Sequence, residues 1–512
     1  MSSDSDILSK VKRIHFVGIG GSGMCPIAEI LLHKGYRLTG SDTSESDTLA
    51  RIRSYGIPVF MGQRAENVEG AELVVYTAAV KQDNPELVAA RRKGIPVVER
   101  SVMLGMVTRH FPKTVAVAGT HGKTTTTAMV TQILLEAGKD PSAIIGGKLP
   151  LIGGNGRAGK SDIIVCEACE YVDTFLQLHP SVSVILNIDN DHLDYFGTVE
   201  NTIRSFHQFA KQTSGTIVVN GDNANAMKSV EGIRNAKIIT YGFGAQNDYS
   251  AADIRDTYRA REQFSLLKGG RKTAEITLSV PGKHNIYNAL AAFAVAELFG
   301  VPPAGIAKSL HAFTGVHRRF EKLGEFGGIT VADDFAHHPT ELKATLTAAK
   351  KMGFARVWAV FQPHTYSRTY LLLDDFAKVL QIADRVVLSE ILAVRETNVY
   401  HIYAKDLAAK IPGCVWFKTF EEIADYMVKN AREGDLILTL GGGDIYKCAN
   451  LIVAKYKAME GRKGLRSRRI HFCRFTGFRT ASDTVPALQS RQSSVPLSRL
   501  APPLRYFPAG RR

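Results

Sequence analysis

The residues best suited to chemistry are Gly119-Thr120-His121-Gly122-Lys123-Thr124, which follow the apolar run Val115–Ala118 and open a threonine-rich stretch at Thr125. Glycines let backbone N–H groups approach phosphate oxygens. A lysine beside them neutralises β/γ charge, and the adjoining hydroxyl can hold Mg²⁺. A full GxxxxGK[ST] pattern would place glycine at 117, where Val117 stands, so this loop is a shortened variant. Downstream, Ile163–Cys166 reads as a strand ending in Glu167, and Val182–Ile188 as a strand running into Asp189-Asn190-Asp191-His192. Mg²⁺ prefers carboxylate, hydroxyl and water. Thr124 and Glu167 are therefore the expected metal ligands, with His192 either a ligand to a second ion or a capping loop histidine.

A second cluster is Gly18-x-Gly20-x-x-Gly23 within the segment Gly18–Met24, which also holds Gly21, with Asp42 closing the next strand. Such a loop cradles a pyrophosphate while the acid meets sugar hydroxyls. NAD and a nucleotide-sugar diphosphate satisfy that geometry equally. A third cluster joins Asp333-Asp334-Phe335-Ala336-His337-His338, after the strand Ile329–Ala332, to Gln362-Pro363-His364-Thr365-Tyr366-Ser367-Arg368, after the strand Val357–Phe361. Zinc is one reading, but adjacent His337 and His338 cannot easily face one ion, and a carboxylate-binding site explains Arg368 better. The simpler alternative is that Asp333 or Asp334 caps a helix beginning at Pro339. Arg318 and Arg319 lie at a junction from which an arginine could reach a transferring γ-phosphate, or could simply lie on the surface. Cys166 and Cys169 spell C-x-x-C, but zinc would need a second pair, and a redox pair belongs at a helix start rather than a strand end.

These clusters share a setting. Three times a short β-branched run, a glycine turn and a helical pattern follow one another, at 13–24, 114–127 and 435–446. Strands alternating with helices imply parallel sheets, which bind ligands beyond the carboxyl ends of their strands. Turn-rich breaks near His110-Phe111-Pro112 and at Gly315–Glu321 divide the chain into α/β domains at 1–110, 111–317 and 318–460, followed by a tail at 461–512.

The chain has 512 residues, formal net charge +15, 45% hydrophobic and 22% charged residues, which suits about three domains at roughly 100–200 residues each. It is too apolar to be wholly disordered. Stretches without charge, such as Thr174–Ile188, carry polar residues and fall short of the roughly 20 apolar residues a span needs. Met1–Ser9 has no apolar signal core, and six cysteines make no disulfide framework, so a cytoplasmic protein is expected. The tail holds 12 Lys/Arg and a single acid, net +11, which leaves only +4 for the other 460 residues. Its Arg-, Ser- and Pro-rich composition reads as a basic disordered extension, dispensable or able to touch polyanions.

Taken together, GIGGSGM with GSD, GTHGKTTTT, EACEYVDTF, NIDNDHLDYF, GKHNIYNALAA, HRRFE, DDFAHHPTE and QPHTYSRT resemble, in order and over about residues 12–460, the Mur ligases of peptidoglycan synthesis. The resemblance implies three α/β domains: a Rossmann-like N-terminal domain binding a UDP-sugar, a central P-loop ATPase-type parallel sheet, and a Rossmann-like C-terminal domain. It is strongest toward the alanine-adding branch. It implies ATP-dependent joining of L-alanine to the lactyl carboxylate of UDP-N-acetylmuramate through an acyl phosphate, with ATP and Mg²⁺ required. Carried over by position, Gly119 to Thr125 hold ATP phosphates, with Lys123 catalytic. His284, Asn285 and Asn288 lie near adenine, Asp334 by the ribose, and Arg319 at the γ-phosphate. His337, His364 and Arg368 serve the alanine region, while Gly18, Gly20, Gly21, Gly23, Met24 and Asp42 bind the UDP-sugar. Two departures stand out. Several members carry a carbamylated lysine after the metal histidine, where this chain has His207. Many show E-A-D-E-S-D where it has EACEYVD, which leaves the roles of Glu170 and Asp173 open. The alternatives are a ligase that adds an intact tripeptide to the same nucleotide sugar, an NAD-dependent oxidoreductase built on Gly18–Gly23, and a polyanion-binding protein built on the tail. No membrane or specific nucleic-acid partner is expected.

Overall fold

β-branched and apolar residues fill the strands because both faces of each parallel sheet are covered by helices. In the computed structural model, which describes residues 7–257, 261–394 and 396–475, these runs form three sheets. Among the described residues, those up to Ala458 form one compact unit, which the residues from Met459 onward do not join.

The first sheet contains β1 (Arg13–Val17), β2 (Arg37–Asp42), β3 (Val59–Met61), β4 (Leu73–Tyr76) and β5 (Val97–Glu99), all parallel, in the order 3-2-1-4-5. The order reverses at β1, so the glycine turn beginning at Gly18 leaves the sheet at its switch point, where ligands bind in such folds.

The second sheet contains β6 (Lys113–Ala118), β7 (Ser142–Leu149), β8 (Gly154–Arg157), β9 (Ile163–Ala168), β10 (Val182–Ile185), β11 (Thr216–Asn220), β12 (Lys237–Gly242), β13 (Tyr249–Asp256), β14 (Arg261–Lys268) and β15 (Arg271–Pro281). Their order is 15-14-13-12-11-10-6-9-7-8, parallel from β13 to β7 and antiparallel at the two ends. Because β6 lies between β10 and β9, the loop leaving its carboxyl end is flanked by Glu167 on one side and by Asn187–His192 on the other. Helix Lys123–Glu136 then packs against helix His284–Leu298.

The third sheet, of β16 (Glu321–Phe326), β17 (Ile329–Asp334), β18 (Arg356–Phe361), β19 (Arg385–Leu388), β20 (Val415–Trp416) and β21 (Asp435–Leu440), has the order 16-17-21-18-19-20 with only β16 antiparallel. The glycines after β21 therefore emerge between Asp334 and Gln362. Beneath them Asp435 accepts from Arg356 (2.7 and 3.0 Å) and from the Trp358 indole (2.9 Å), a buried polar knot at the opposite end of the sheet.

Some boundaries differ from expectation. β9 and β17 run on through Glu167 and Asp334, while β10 ends at Ile185 because Asn187 is drawn out to clamp the neighbouring loop. The helix from Pro339 is capped by His338, not by Asp333 or Asp334, whose carboxylates still belong to the strand; Glu341 closes the capping box. The last helix runs Tyr446–Phe475, past the expected boundary at 460, and residues 476–512 of the expected disordered tail lie outside the described residues. No helix among the described residues is long and apolar enough to cross a membrane.

Candidate active site

The loop after β6 is shaped by backbone demands that only glycine meets. Gly122 has φ +88°, and a Cβ there would lie 2.5 Å from Asn288 Oδ1. Asn187 grips the loop from the side: it accepts from the His121 N–H (2.8 Å) and donates to the His121 carbonyl (3.0 Å). Lys123 curls back over the loop, donating to the carbonyls of Gly119 (2.5 Å) and Thr120 (3.1 Å) and to both Glu170 oxygens (2.9 and 3.1 Å). Burial would lower the Lys123 pKa, but Glu170 outweighs it and raises it, so the ammonium stays charged. Glu170, whose role the sequence left open, is thus the buried counter-ion of the phosphate-loop lysine. Asp173 acts elsewhere, accepting from Tyr195 (2.7 Å) and from Ser205 and so tying its left-handed turn to the helices that follow.

Thr124 donates its hydroxyl to Glu167, which also accepts from the Gly146 N–H. Burial pushes the Glu167 carboxyl up against the pull of these donors and of Lys123 and Arg319. Among the described residues no group of three or more His, Cys, Asp and Glu is arranged to hold a metal. One hydroxyl plus one carboxylate is nevertheless the donor set that suits Mg²⁺ completing its shell with phosphate and water. His192 stands apart from that pair, 3.9 Å from both Glu170 and Asp191 and 4.7 Å from the Tyr171 ring, and burial lowers its pKa. His207 turns to the Ser229 carbonyl (3.0 Å).

A cavity of about 550 Å³ opens beside the loop, lined by His284, Asn285, Asn288, Arg319 and Asp334 and by Asp222 and Tyr287, which sequence reading missed. His284 is exposed on the cavity wall, and the protein packed around its ring, with Arg319 beside it, pushes its pKa down to about 4. Asn288 accepts from Thr126 (3.2 Å) and donates to Asn285 (2.9 Å), locking the two helices together. Asp334 accepts from the N–H groups of Phe320 and Ala336 (both 2.7 Å), and burial pushes its carboxyl up to about 6. Asp222 lies two residues beyond the end of β11, and that position just past a strand end was the signal available for it; it accepts from the Tyr287 hydroxyl (3.1 Å).

The two adjacent arginines diverge. Arg318, with φ +62°, spends its guanidinium on Asp333 (2.9 Å) and on the carbonyls of Gly441 (2.7 Å) and Gly443 (2.8 Å). Arg319 lies over the Phe335 ring (5.2 Å) and lines the cavities. His337 and His364 meet edge to face at 5.4 Å, with Gly442 packed against the His337 ring. Burial, then His337 and Arg368, push His364 down to about 4. Arg368 is paired with Asp191 (3.2 Å), so in this structure it bridges domains rather than standing open.

In the first domain a cavity of about 760 Å³ is lined by Gly18, Gly20, Gly21 and Asp42. Asp42 accepts from the N–H groups of Gly20 (2.9 Å), Thr43 (2.8 Å) and Ser44 (3.2 Å). Gly23 and Met24 do not join them: Gly23 packs against Arg100, and the Met24 side chain, 1% exposed, belongs to the core. A third cavity, of about 1050 Å³, collects Ser22 and Ser46 from the first domain, Lys123, Thr124 and Glu167 from the second, and Arg318, Arg319 and His337 from the third. Two carboxylate-bearing or phosphorylated substrates can thus meet around Lys123, Arg319 and the Thr124–Glu167 pair.

Comparison with known proteins agrees with this layout. Family models match in chain order: Mur ligase family, catalytic domain at 13–112; Mur ligase middle domain at 117–296; and Mur ligase, glutamate ligase domain at 318–443. The chain is 44% identical over 456 residues to a UDP-N-acetylmuramate–L-alanine ligase of Caldanaerobacter subterraneus subsp. tengcongensis, covering 88% of this chain and 99% of that one. It is 43% identical over 452 residues to the protein of that name from Acetivibrio thermocellus, covering 87% and 96%. Among solved structures, a UDP-N-acetylmuramate-alanine ligase from Thermotoga maritima superposes with TM-score 0.75 at 30% identity, covering 87% of this chain and 99% of that one. A murein peptide ligase from Psychrobacter arcticus superposes with TM-score 0.68 at 25% identity, covering 87% and 98%. The chain belongs to the Mur ligase family.

Proposed function

We propose that this protein joins L-alanine to the lactyl carboxylate of UDP-N-acetylmuramate at the expense of ATP, an early step in making peptidoglycan precursors. The observation that carries the reading is the cavity shared by all three domains, with Lys123, Arg319 and the Thr124–Glu167 pair facing it. Two relatives that cover nearly their full length carry that activity in their names.

The triphosphate lies along the loop after β6, with its base and ribose in the cavity of His284, Asn288 and Asp334. The nucleotide sugar sits over Gly18–Gly21 and Asp42 and extends its lactyl arm toward Lys123. The lactyl carboxylate attacks the γ-phosphoryl group, giving an acyl phosphate and ADP. Both reactants are anionic, and at about 4 Å with an effective dielectric near 20 each like-charge pair costs on the order of 4 kcal/mol. Lys123 and Arg319 supply the opposing charge from positions set before reaction. Mg²⁺, held by Thr124 and Glu167, adds further neutralisation when bound. The amine of alanine then attacks the acyl carbon and expels phosphate, in a cleft whose closure by the three domains would exclude water. His337 is placed to orient that amine. A cytoplasmic setting fits a reaction that consumes ATP and a nucleotide sugar.

The test is phosphate release and product mass with UDP-N-acetylmuramate, Mg·ATP and each of the twenty amino acids, beside the tripeptide that the recycling ligase would use. Alanine-dependent release with an alanyl adduct supports the reading. Turnover with the tripeptide alone overturns it in favour of the recycling reaction.

A further inference from the structure

Three residues line both the nucleotide-side cavity and the larger shared one: Gly122, Arg319 and Glu341. The first two have plain roles where a γ-phosphate would pass. A half-buried carboxylate at the same junction would repel a phosphoryl group unless its charge were taken up elsewhere. It is taken up on both sides. Glu341 Oε1 lies 3.4 Å from His121 Nδ1, on the phosphate loop, and Oε2 lies 3.3 Å from His337 Nδ1, on the amine side, a nitrogen that the Phe335 carbonyl also faces at 3.0 Å. These two histidines outweigh burial and hold Glu341 well below the ordinary carboxylate range. The other face of His121 meets Asp189 (3.3 Å), and the Thr340 hydroxyl reaches that same carboxylate (3.3 Å).

Helix capping does not account for this choice. Glu341 closes the capping box at the start of helix Pro339–Lys351, accepting from the N–H groups of His338 (3.4 Å) and His337 (3.1 Å). Glutamine closes such a box as well. Only the ionised group also balances two imidazoles that come from different domains.

Building on the function proposed above, we propose that Glu341 is a positioning residue: its carboxylate couples His121 of the phosphate loop to His337, so that the state of the loop sets the placement of the imidazole beside the incoming amine. The His121–Glu341 contact joins residues 220 positions apart, and through it a single side chain connects the phosphate end of the site to the amine end.

The test is a double-mutant cycle of Glu341→Gln and His121→Gln in the full chain. Glutamine at 341 keeps the cap, so the protein stays folded and UDP-N-acetylmuramate binding stays near wild type. Each single substitution lowers kcat/KM for L-alanine about tenfold, and the double variant is no worse than the poorer single, because both remove one coupling. Losses that multiply, wild-type values for Glu341→Gln, or losses confined to the nucleotide-sugar KM overturn the proposal. The wild-type reaction with alanine is the control for the functional reading. If it fails, the coupling is still read by hydrogen exchange in the ADP-bound protein: Glu341→Gln speeds exchange at residues 119–124 in the wild-type background and not in the His121→Gln background. Equal exchange in all four proteins overturns it.

Discussion

Two glycine turns in this molecule have the same design and opposite chemistry. Each follows the strand at which its sheet's order reverses or centres, and each opens a helix. At Gly18–Gly21 the nearest charged group is Asp42, whose carboxylate takes the Gly20 N–H that would otherwise point at a ligand. At Gly119–Gly122 the nearest charged group is Lys123, whose ammonium is seated on the loop's own carbonyls and backed by Glu170. Glycine spacing thus determines how closely a phosphate can approach the backbone. The side chain that closes the turn decides the charge a guest would meet there, negative at Asp42 and positive at Lys123.

The contrast breaks most visibly at Lys123. Lys123→Ala should lower ATP-dependent amide formation by about a thousandfold, the scale of losing a phosphoryl-stabilising cation, while UDP-N-acetylmuramate binding by calorimetry stays close to wild type. Turnover near wild type would remove the assignment of the loop. Arg319→Ala, which strikes the same charge balance from the third domain, should cost about a hundredfold in kcat with little change in the KM for either nucleotide. Equal losses in nucleotide affinity would instead make it a binding residue.

The first turn sharpens the comparison from the other side. A Cβ at Gly20 would lie 2.8 Å from Asp42 Oδ2 and 3.2 Å from Leu49, so Gly20→Ala should displace Asp42. The expected result is about a tenfold rise in the KM for the nucleotide sugar, as for the loss of one good hydrogen bond, with the KM for ATP unchanged. A parallel rise for ATP would show that the two turns are not independent.

The smallest effect is one of pH. Burial alone would lower the His121 pKa, but Asp189 and Glu341 push it from 6.5 up to about 9. A raised folded-state value means that this stabilisation is fully present below about 6.5 and is lost as the pH rises through 9. The melting temperature of the wild type should therefore fall across that window by about 2 °C more than that of His121→Gln. Parallel curves would show that the His121 contacts contribute nothing to stability.

What the sequence made legible was local. Strand-end carboxylates, the two glycine turns and the lysine–threonine pair can be read because backbone geometry places neighbours in sequence at one point in space. The reading was blind where partners come from afar. Nothing in GTHGKTTTT says that His121 faces Glu341, nor in EACEYVD that Glu170 is the counter-ion of Lys123. Arg318 and Arg319 are identical letters side by side. A left-handed turn at Arg318 sends one into the backbone carbonyls of the third domain and leaves the other facing the cavities. Met24 sits in the motif, yet its side chain packs in the core, since a helix start must bury one face whatever its loop does.

The amino-acid order alone determined that three parallel sheets would each present a loop beyond a strand end, and which of those loops carries a lysine–threonine pair, because period, glycine and charge act over a few residues. Only the tertiary structure decided which buried charges pair, which arginine stays available and where the cavities meet, because Coulomb energy and burial depend on distances that the chain sets only when separate domains pack together.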